Sequence, residues 1–296
     1  MFFSVIRHRF RINVPDFERL RPRVLLPPSY LTSFFQNANF GNCLTRKGAG
    51  ASMVRSQCPK TALLVFAKSP IVGTVKTRMQ PCLSKIDCLN LHKTFVRHTL
   101  SKIKRLNYPE IEKSLFLTGS LVEAHRHAVG LGTTRDILIE VQVGKQLGER
   151  LINALQRKFS AGFDRVIFIG TDSPLLGIGE IESAIEALSG NEVVIGPATD
   201  GGYYLIGFSA NIPSILRGIA WGTPLVYQQT VKLMERHGVH WKRLENRSDV
   251  DTFEDLKNLY FLMQRTSGMV DGELEQELFE VVSQLVTERT READEK

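Results

Sequence analysis

The sequence predicts an α/β protein built as three layers, α/β/α, on a mostly parallel sheet. Two observations carry this. Short apolar runs alternate with longer segments of helical periodicity through most of the chain, the pattern of strands joined by crossover helices. The strand candidates are apolar at consecutive positions rather than at every second one, as expected of strands covered on both faces.

Taken in order, Leu63–Ala67 (LLVFA) is the first strand, and it stops at Lys68-Ser69-Pro70 because proline cannot donate to a ladder. Leu91, Phe95, Val96, Leu100, Ile103 and Leu106 share one face of a helix over Leu89–Leu106. Ser114–Thr118 is a strand, Val122–Val129 a helix and Ile137–Val141 a strand. Leu147, Leu151, Leu155 and Phe159 then mark a helix. Val166–Gly170 (VIFIG) is a buried strand that runs into Thr171-Asp172-Ser173-Pro174, with a helix over Ile181–Leu188. Val193–Gly196 and Gly202–Phe208 are strands, Pro224–His237 a helix, Val239–Leu244 a strand and Thr252–Gln264 a helix. Ligands of such sheets bind beyond the carboxyl ends of the strands. The loops after Ala67, Gly170, Gly196 and Leu244 are therefore expected around one mouth.

The chain divides into a basic leader, 1–58, a folded domain, 59–266, and a C-terminal amphipathic helix, 267–296. Of the net charge of +7 on 296 residues, positions 1–60 contribute ten Lys/Arg against two Asp/Glu, so the remainder is close to neutral. A nucleic-acid-binding domain would carry its basic patch on the fold, so that class is disfavoured. The arginine-rich, acid-poor leader resembles an organelle transit peptide, or it is an upstream extension with Met53 as the working start. Disorder is expected in either case. The location is then cytoplasmic, or an organelle matrix if the leader is a transit peptide. In the tail, Leu274, Leu278, Val281, Val282, Leu285 and Val286 form a helical stripe. Packing on its own domain is the first reading, with a homodimer contact as the alternative. Four cysteines without C-x-x-C spacing disfavour both a zinc site and a disulfide scaffold. No apolar run is long enough to span a bilayer, and the lack of a G-x-S-x-G elbow disfavours a hydrolase triad.

Candidate chemistry sits in the predicted loops. Gly73-Thr74 is a flexible turn, and with Lys68, Lys76 and Arg78 it reads as a phosphate cradle or as an ordinary strand exit with solvated lysines. Asp172 follows a buried strand, where it holds a hard cation such as Mg²⁺ or caps the next helix. Asp200-Gly201-Gly202 is a hairpin turn or a close backbone approach to a ligand. Asp249 and Asp251, two apart in a loop, point at one ion, or Asp251 or Thr252 caps the last helix of the domain. Trp221 stacks on a substrate ring or covers the core.

Taken in series, Phe66-Ala67-Lys68-Ser69-Pro70 with Gly73-Thr74-Val75-Lys76-Thr77-Arg78, then Gly148-Glu149-Arg150, Gly170 to Pro174, Gly196 to Gly207, Trp221-Gly222-Thr223 and Asp249 to Thr252 resemble the radical-SAM/selenodomain-associated transferase family. That family looks related to 2-phospholactate guanylyltransferase. The resemblance spans about residues 61–265. It implies a GT-A-like nucleotide-diphospho-sugar transferase fold, with Lys68, Lys76 and Arg78 on the nucleotide's phosphates, acting with Asp172 as the catalytic set. It further implies that Asp172, Asp249 and Asp251 hold Mg²⁺ or Mn²⁺, and that Gly73, Thr74, Asp200, Gly201, Gly202, Tyr203 and Trp221 line the substrates. The expected activity is nucleotidyl transfer from an NTP to a small, phosphorylated acceptor with release of pyrophosphate. Glycosyl transfer from a nucleotide sugar is the alternative, and nucleotide binding without turnover a further one.

Overall fold

A computed structural model describes residues 58–266 and 273–294; the expectations for the leader lie outside the described residues. Seven strands and seven helices follow in the order β1 (Thr61–Ala67), α1 (Lys85–Arg105), β2 (Ile111–Leu117), α2 (Leu121–Val129), β3 (Ile137–Val141), α3 (Leu147–Ser160), β4 (Arg165–Ile169), α4 (Ile178–Ala187), β5 (Val193–Pro197), β6 (Tyr203–Phe208), α5 (Val226–Arg236), β7 (Trp241–Arg243), α6 (Phe253–Thr266) and α7 (Glu273–Asp294). They form one seven-stranded sheet of order β3-β2-β1-β4-β6-β5-β7. Only β6 runs against the others, pairing antiparallel with β4 and β5.

Alternation along the strands sends side chains to two buried faces. Leu63, Val65 and Ala67 of β1, with Leu115 and Ile167, meet Val96 and Leu100 of α1 and Ile181 and Ile185 of α4. Ala62 and Leu64, with Phe116 and Phe168, meet Leu151 and Leu155 of α3 and Met234 of α5. This is why the strands read as unbroken apolar runs. Phe66 stacks on Phe116 at 5.0 Å and meets Phe168 edge-on at 5.2 Å on the second face.

A third cluster lies on the outer side of α1. Leu91 and Phe95 of α1 pack with Leu256 and Leu259 of α6 and with Leu278, Val282, Leu285 and Val286 of α7. The tail helix thus joins the 59–266 domain rather than standing apart from it. Helix starts follow local chemistry. Ser84 Oγ accepts from the Asp87 N–H at 3.1 Å, and Ser120 and Glu123 form a reciprocal box at the start of α2. β7 is shorter than the predicted Val239–Leu244, because only Trp241–Arg243 pair with β5. No described helix is long and apolar enough to cross a membrane.

Candidate active site

The carboxyl ends of the parallel strands β1, β3, β4, β5 and β7 open on one edge, and the loops that leave them meet there. Backbone bonds lock them together. Val250 N–H donates to the Asp172 carbonyl at 2.8 Å, Arg247 N–H to the Pro197 carbonyl at 3.0 Å, and Thr199 N–H to the Arg247 carbonyl at 2.9 Å. A cleft of two chambers results. The first, about 360 Å³, is bordered by the end of β1, the loop through Arg78, Gln142, Arg150 and the Asp172 loop. The second, about 290 Å³, is bordered by Asp200, Gly202, Tyr203, Trp221 to Pro224 and Asp249. Arg78, Leu147, Asp172 and Asp251 line both.

Lys76 is the hub. It adopts the left-handed conformation (φ 46°, ψ 40°), which turns its side chain inward before the single helical turn at Thr77–Met79. Its side chain is 3% exposed and lies over the Phe95 ring, 4.7 Å from the centroid. The ammonium contacts Asp172 Oδ1 at 2.5 Å, the Val250 carbonyl at 2.7 Å and Asp251 Oδ1 at 3.9 Å. Its ammonium is therefore paired with the protein's own carboxylates where it lines the first chamber. Arg78, 62% exposed, reaches Asp251 Oδ2 at 3.3 Å from the cleft side. Lys68 is exposed and lines the first chamber. Its carbonyl meets Nε2 of the buried His92 at 2.9 Å. Gly73 and Thr74 line neither chamber. The Gly73 carbonyl accepts from Gln80 Nε2 at 3.2 Å, and the Thr74 hydroxyl donates to the Ile71 carbonyl at 2.9 Å, so both shape the loop from within.

The aspartates fall into place by what caps the helices. Thr252 opens α6: its hydroxyl accepts from the Asp255 N–H at 3.2 Å, and Asp255 accepts from the Thr252 N–H at 2.8 Å. That frees Asp251 for the cleft. Helix α4 starts at Gly177, whose N–H is met by Glu180 at 2.8 Å, so Asp172 is no cap either. Burial works to raise the Asp172 carboxyl, but the Lys76 ammonium, as charge and as donor, outweighs it and holds Asp172 below the ordinary range. Burial and the neighbouring Asp172 charge push Asp251 up. Asp249 is pushed up to about 7 by burial, opposed by a hydrogen bond from the Ser173 hydroxyl and reinforced by Asp200, Asp172 and Asp251. The three aspartates expected to close on one ion do not do so by themselves. Among the described residues no group of three His, Cys, Asp or Glu side chains has that geometry, because Lys76 occupies the space between Asp172 and Asp251 and Asp249 turns to Ser173.

Asp200 sits in the β5–β6 turn, where its Oδ1 accepts from the Gly202 N–H at 2.8 Å, and the residue lines the second chamber. Gly201 is outside the lining. It has φ +90°, and a Cβ there would come within 2.1 Å of the Pro224 carbonyl oxygen, so glycine serves the wall rather than a ligand. Trp221 also does two things. It packs on the second core cluster and edge-on to Tyr203 at 6.1 Å, and it lines the chamber.

Arg150 and Gln142 are site residues that sequence reasoning left without a role. Arg150 lines the first chamber, its Nε donating to the Gly144 carbonyl at 3.0 Å, and Gln142 Nε2 donates to the carbonyls of Ala67 and Phe116 at 2.8 and 2.9 Å. The signal was present in Gly148-Glu149-Arg150 at the start of α3. Gly148 itself is required by contact, since a Cβ there would lie 2.2 Å from Trp221 Nε1. The chambers differ in charge. Four cations, Lys68, Lys76, Arg78 and Arg150, face two carboxylates in the first, and four carboxylates face Arg78 alone in the second.

The fold is that of a GT-A-like, nucleotide-diphospho-sugar transferase. A protein from Desulfovibrio desulfuricans G20 named for that class is 31% identical, with a TM-score of 0.70, over 78% of this chain and 99% of that one. A 4-diphosphocytidyl-2C-methyl-D-erythritol synthase from Anaerococcus prevotii DSM 20548 is 12% identical over 70% of this chain and 96% of that one, with a TM-score of 0.47. A cytidylyltransferase from Leptospira borgpetersenii serovar Hardjo-bovis is 14% identical over 77% and 95%, with a TM-score of 0.45. Residues 99–223 match the family described as "Uncharacterized protein conserved in bacteria (DUF2064)". By its identity and coverage, the chain belongs to the family of the Desulfovibrio desulfuricans G20 protein. Among curated proteins, none matches it.

Proposed function

We propose that the protein binds the phosphates of a nucleotide donor in the cationic chamber and transfers a group from it to a small molecule held in the second chamber. The observation that carries this is the charge division of one continuous cleft. Lys68, Arg78 and Arg150 face the first chamber over a floor fixed by Lys76, while carboxylates face the second. Polyanion binding next to a separate pocket suits group transfer, which needs positioning and electrostatics more than a nucleophilic side chain. The leading reading is nucleotidyl transfer from an NTP with release of pyrophosphate. Glycosyl transfer from a nucleotide sugar is the second reading, favoured by the carboxylate-lined second chamber.

The donor chemistry suits a divalent metal, with Lys76 on one Asp172 oxygen and the second oxygen left for an ion. Asp172 is 46% exposed beside the phosphate chamber, and Asp251 adjoins it. Carboxylate oxygens next to substrate phosphates are what Mg²⁺ or Mn²⁺ takes. Asp172 and Asp251 would hold the ion, with Asp249 adding charge nearby, and its contribution would be to neutralise the developing charge on the leaving phosphate. Arg78 and Arg150 orient the phosphates, and Lys76 keeps Asp172 ionised and aimed at the cleft. The test is incubation of the full chain with each NTP and with common nucleotide sugars, together with a panel of small sugars, polyols and their phosphate esters as acceptors, with and without Mg²⁺. Pyrophosphate release marks nucleotidyl transfer, and nucleoside diphosphate release marks glycosyl transfer. Asp172→Asn and Asp251→Asn are expected to lower Mg²⁺-dependent nucleotide binding at least tenfold; unchanged binding in both would remove them as metal ligands.

A further inference from the structure

We infer that the second chamber takes a neutral, hydroxyl-rich molecule of the carbohydrate or polyol class, and not the phosphorylated acceptor that the sequence suggests. The inference rests on the donor-binding reading above and names the substrate class of its other half.

Three features of the chamber lead there. First, its charge has the wrong sign for a phosphate. Arg78 is the one Lys or Arg lining it, and Arg78 is already engaged by Asp251 at 3.3 Å on the boundary with the nucleotide chamber. If Asp172 and Asp251 are satisfied by a divalent ion and the donor's phosphates, Asp200 and Asp249 still face the chamber without a cation of their own. Second, a carboxylate accepts hydrogen bonds, so a ligand that meets Asp200 must donate; a set of hydroxyls does this without carrying charge. Asp200 is held in position for the task, one oxygen fixed by the Gly202 N–H at 2.8 Å. Third, apart from Thr223 the rest of the wall is aromatic, aliphatic, proline and glycine, and it is built without slack. Trp221 is wedged between Tyr203, edge-on at 6.1 Å, and the Cα of Gly148, and Pro224 closes against Gly201. An aromatic and proline wall opposite carboxylates matches a molecule with a C–H face and a hydroxyl rim. The size agrees: about 290 Å³ holds a small ring or chain and leaves the nucleotide to the adjoining 360 Å³.

An amine would also satisfy the carboxylates, and the experiment separates it. The full chain, with Mg²⁺ and a saturating nucleoside triphosphate whose own binding is measured first by calorimetry, is screened by saturation-transfer NMR. The probes are glycerol, glucose, galactose and mannose, then glycerol 3-phosphate and the hexose 1-phosphates, then glucosamine. Neutral probes are expected to bind at least tenfold more tightly than their phosphate esters and no more weakly than glucosamine. Trp221→Ala should reduce neutral binding at least tenfold, and Asp200→Asn should narrow the gap between neutral and phosphorylated probes. Nucleotide binding together with preference for the phosphate esters or the amine, or no binding of any neutral probe, would overturn this inference and leave the donor reading standing. Absence of nucleotide binding would overturn both.

Discussion

Replacing Lys76 by methionine separates two roles for that residue. Methionine keeps an unbranched apolar stem and removes the ammonium, including its place over the Phe95 ring. In the folded protein that ammonium lies 2.5 Å from Asp172, 2.7 Å from the Val250 carbonyl and 3.9 Å from Asp251, on a side chain 3% exposed. Removing one partner of a buried pair costs about 3–5 kcal/mol. Asp172 is 46% exposed, so water recovers part of that, and we expect a loss of about 2–3 kcal/mol. For a domain of this size the melting temperature should fall by roughly 5–10 °C. Freed of its ammonium, the Asp172–Asp251 pair should attract a divalent ion more strongly. The assay is urea unfolding of wild type and Lys76→Met, each with and without Mg²⁺. Mg²⁺ is expected to restore more stability to the variant than it adds to the wild type. Lys76→Met with stability within about 0.5 kcal/mol of wild type, and a defect confined to nucleotide affinity, would show the lysine reaching a phosphate and refute its role as an internal counter-ion.

Gly148→Ala should force Trp221 out of place, because the new Cβ would lie 2.2 Å from its Nε1; in a Trp241→Phe background the remaining Trp emission should shift, and unchanged emission would count against the wedge. Arg150→Met should weaken triphosphate binding about tenfold, or 1.4 kcal/mol, and leave nucleoside binding nearly unaffected; an equal loss for both would remove Arg150 from phosphate binding. Burial, with the Lys102 charge nearby, pushes His98 down to about 3, and neither of its ring nitrogens has a hydrogen-bond partner among the described residues. An unfolded histidine takes its proton near pH 6.5 while the folded one does not, so stability from this site is complete above about pH 6.5 and falls as pH drops toward 3. At pH 5 the loss is about 2 kcal/mol, and His98→Leu should flatten that slope in urea unfolding at pH 5, 6 and 7; an unchanged slope would show that His98 is not its source.

The layered architecture was legible in the residue order because the central strands β1, β4, β5 and β6 are buried on both faces, and consecutive apolar residues report that directly. The mouth of the site was legible too, since parallel strands send their exits to one edge. Local chemistry then stopped short. Asp251 and Thr252 stand side by side as helix caps, and only the observed bond between Thr252 and Asp255 frees Asp251 for the cleft. The reversed course of β6 depends on its pairing with β4, far away along the chain. Lys76 reads as a phosphate ligand or as a solvated loop lysine, and its inward turn depends on a backbone conformation and on carboxylates 96 and 175 positions away. Pattern along a chain records what each segment must bury. Which charge neutralises which is set by distances across loops that sequence neighbours do not share, and those distances divide the cleft into a cationic and an acidic half.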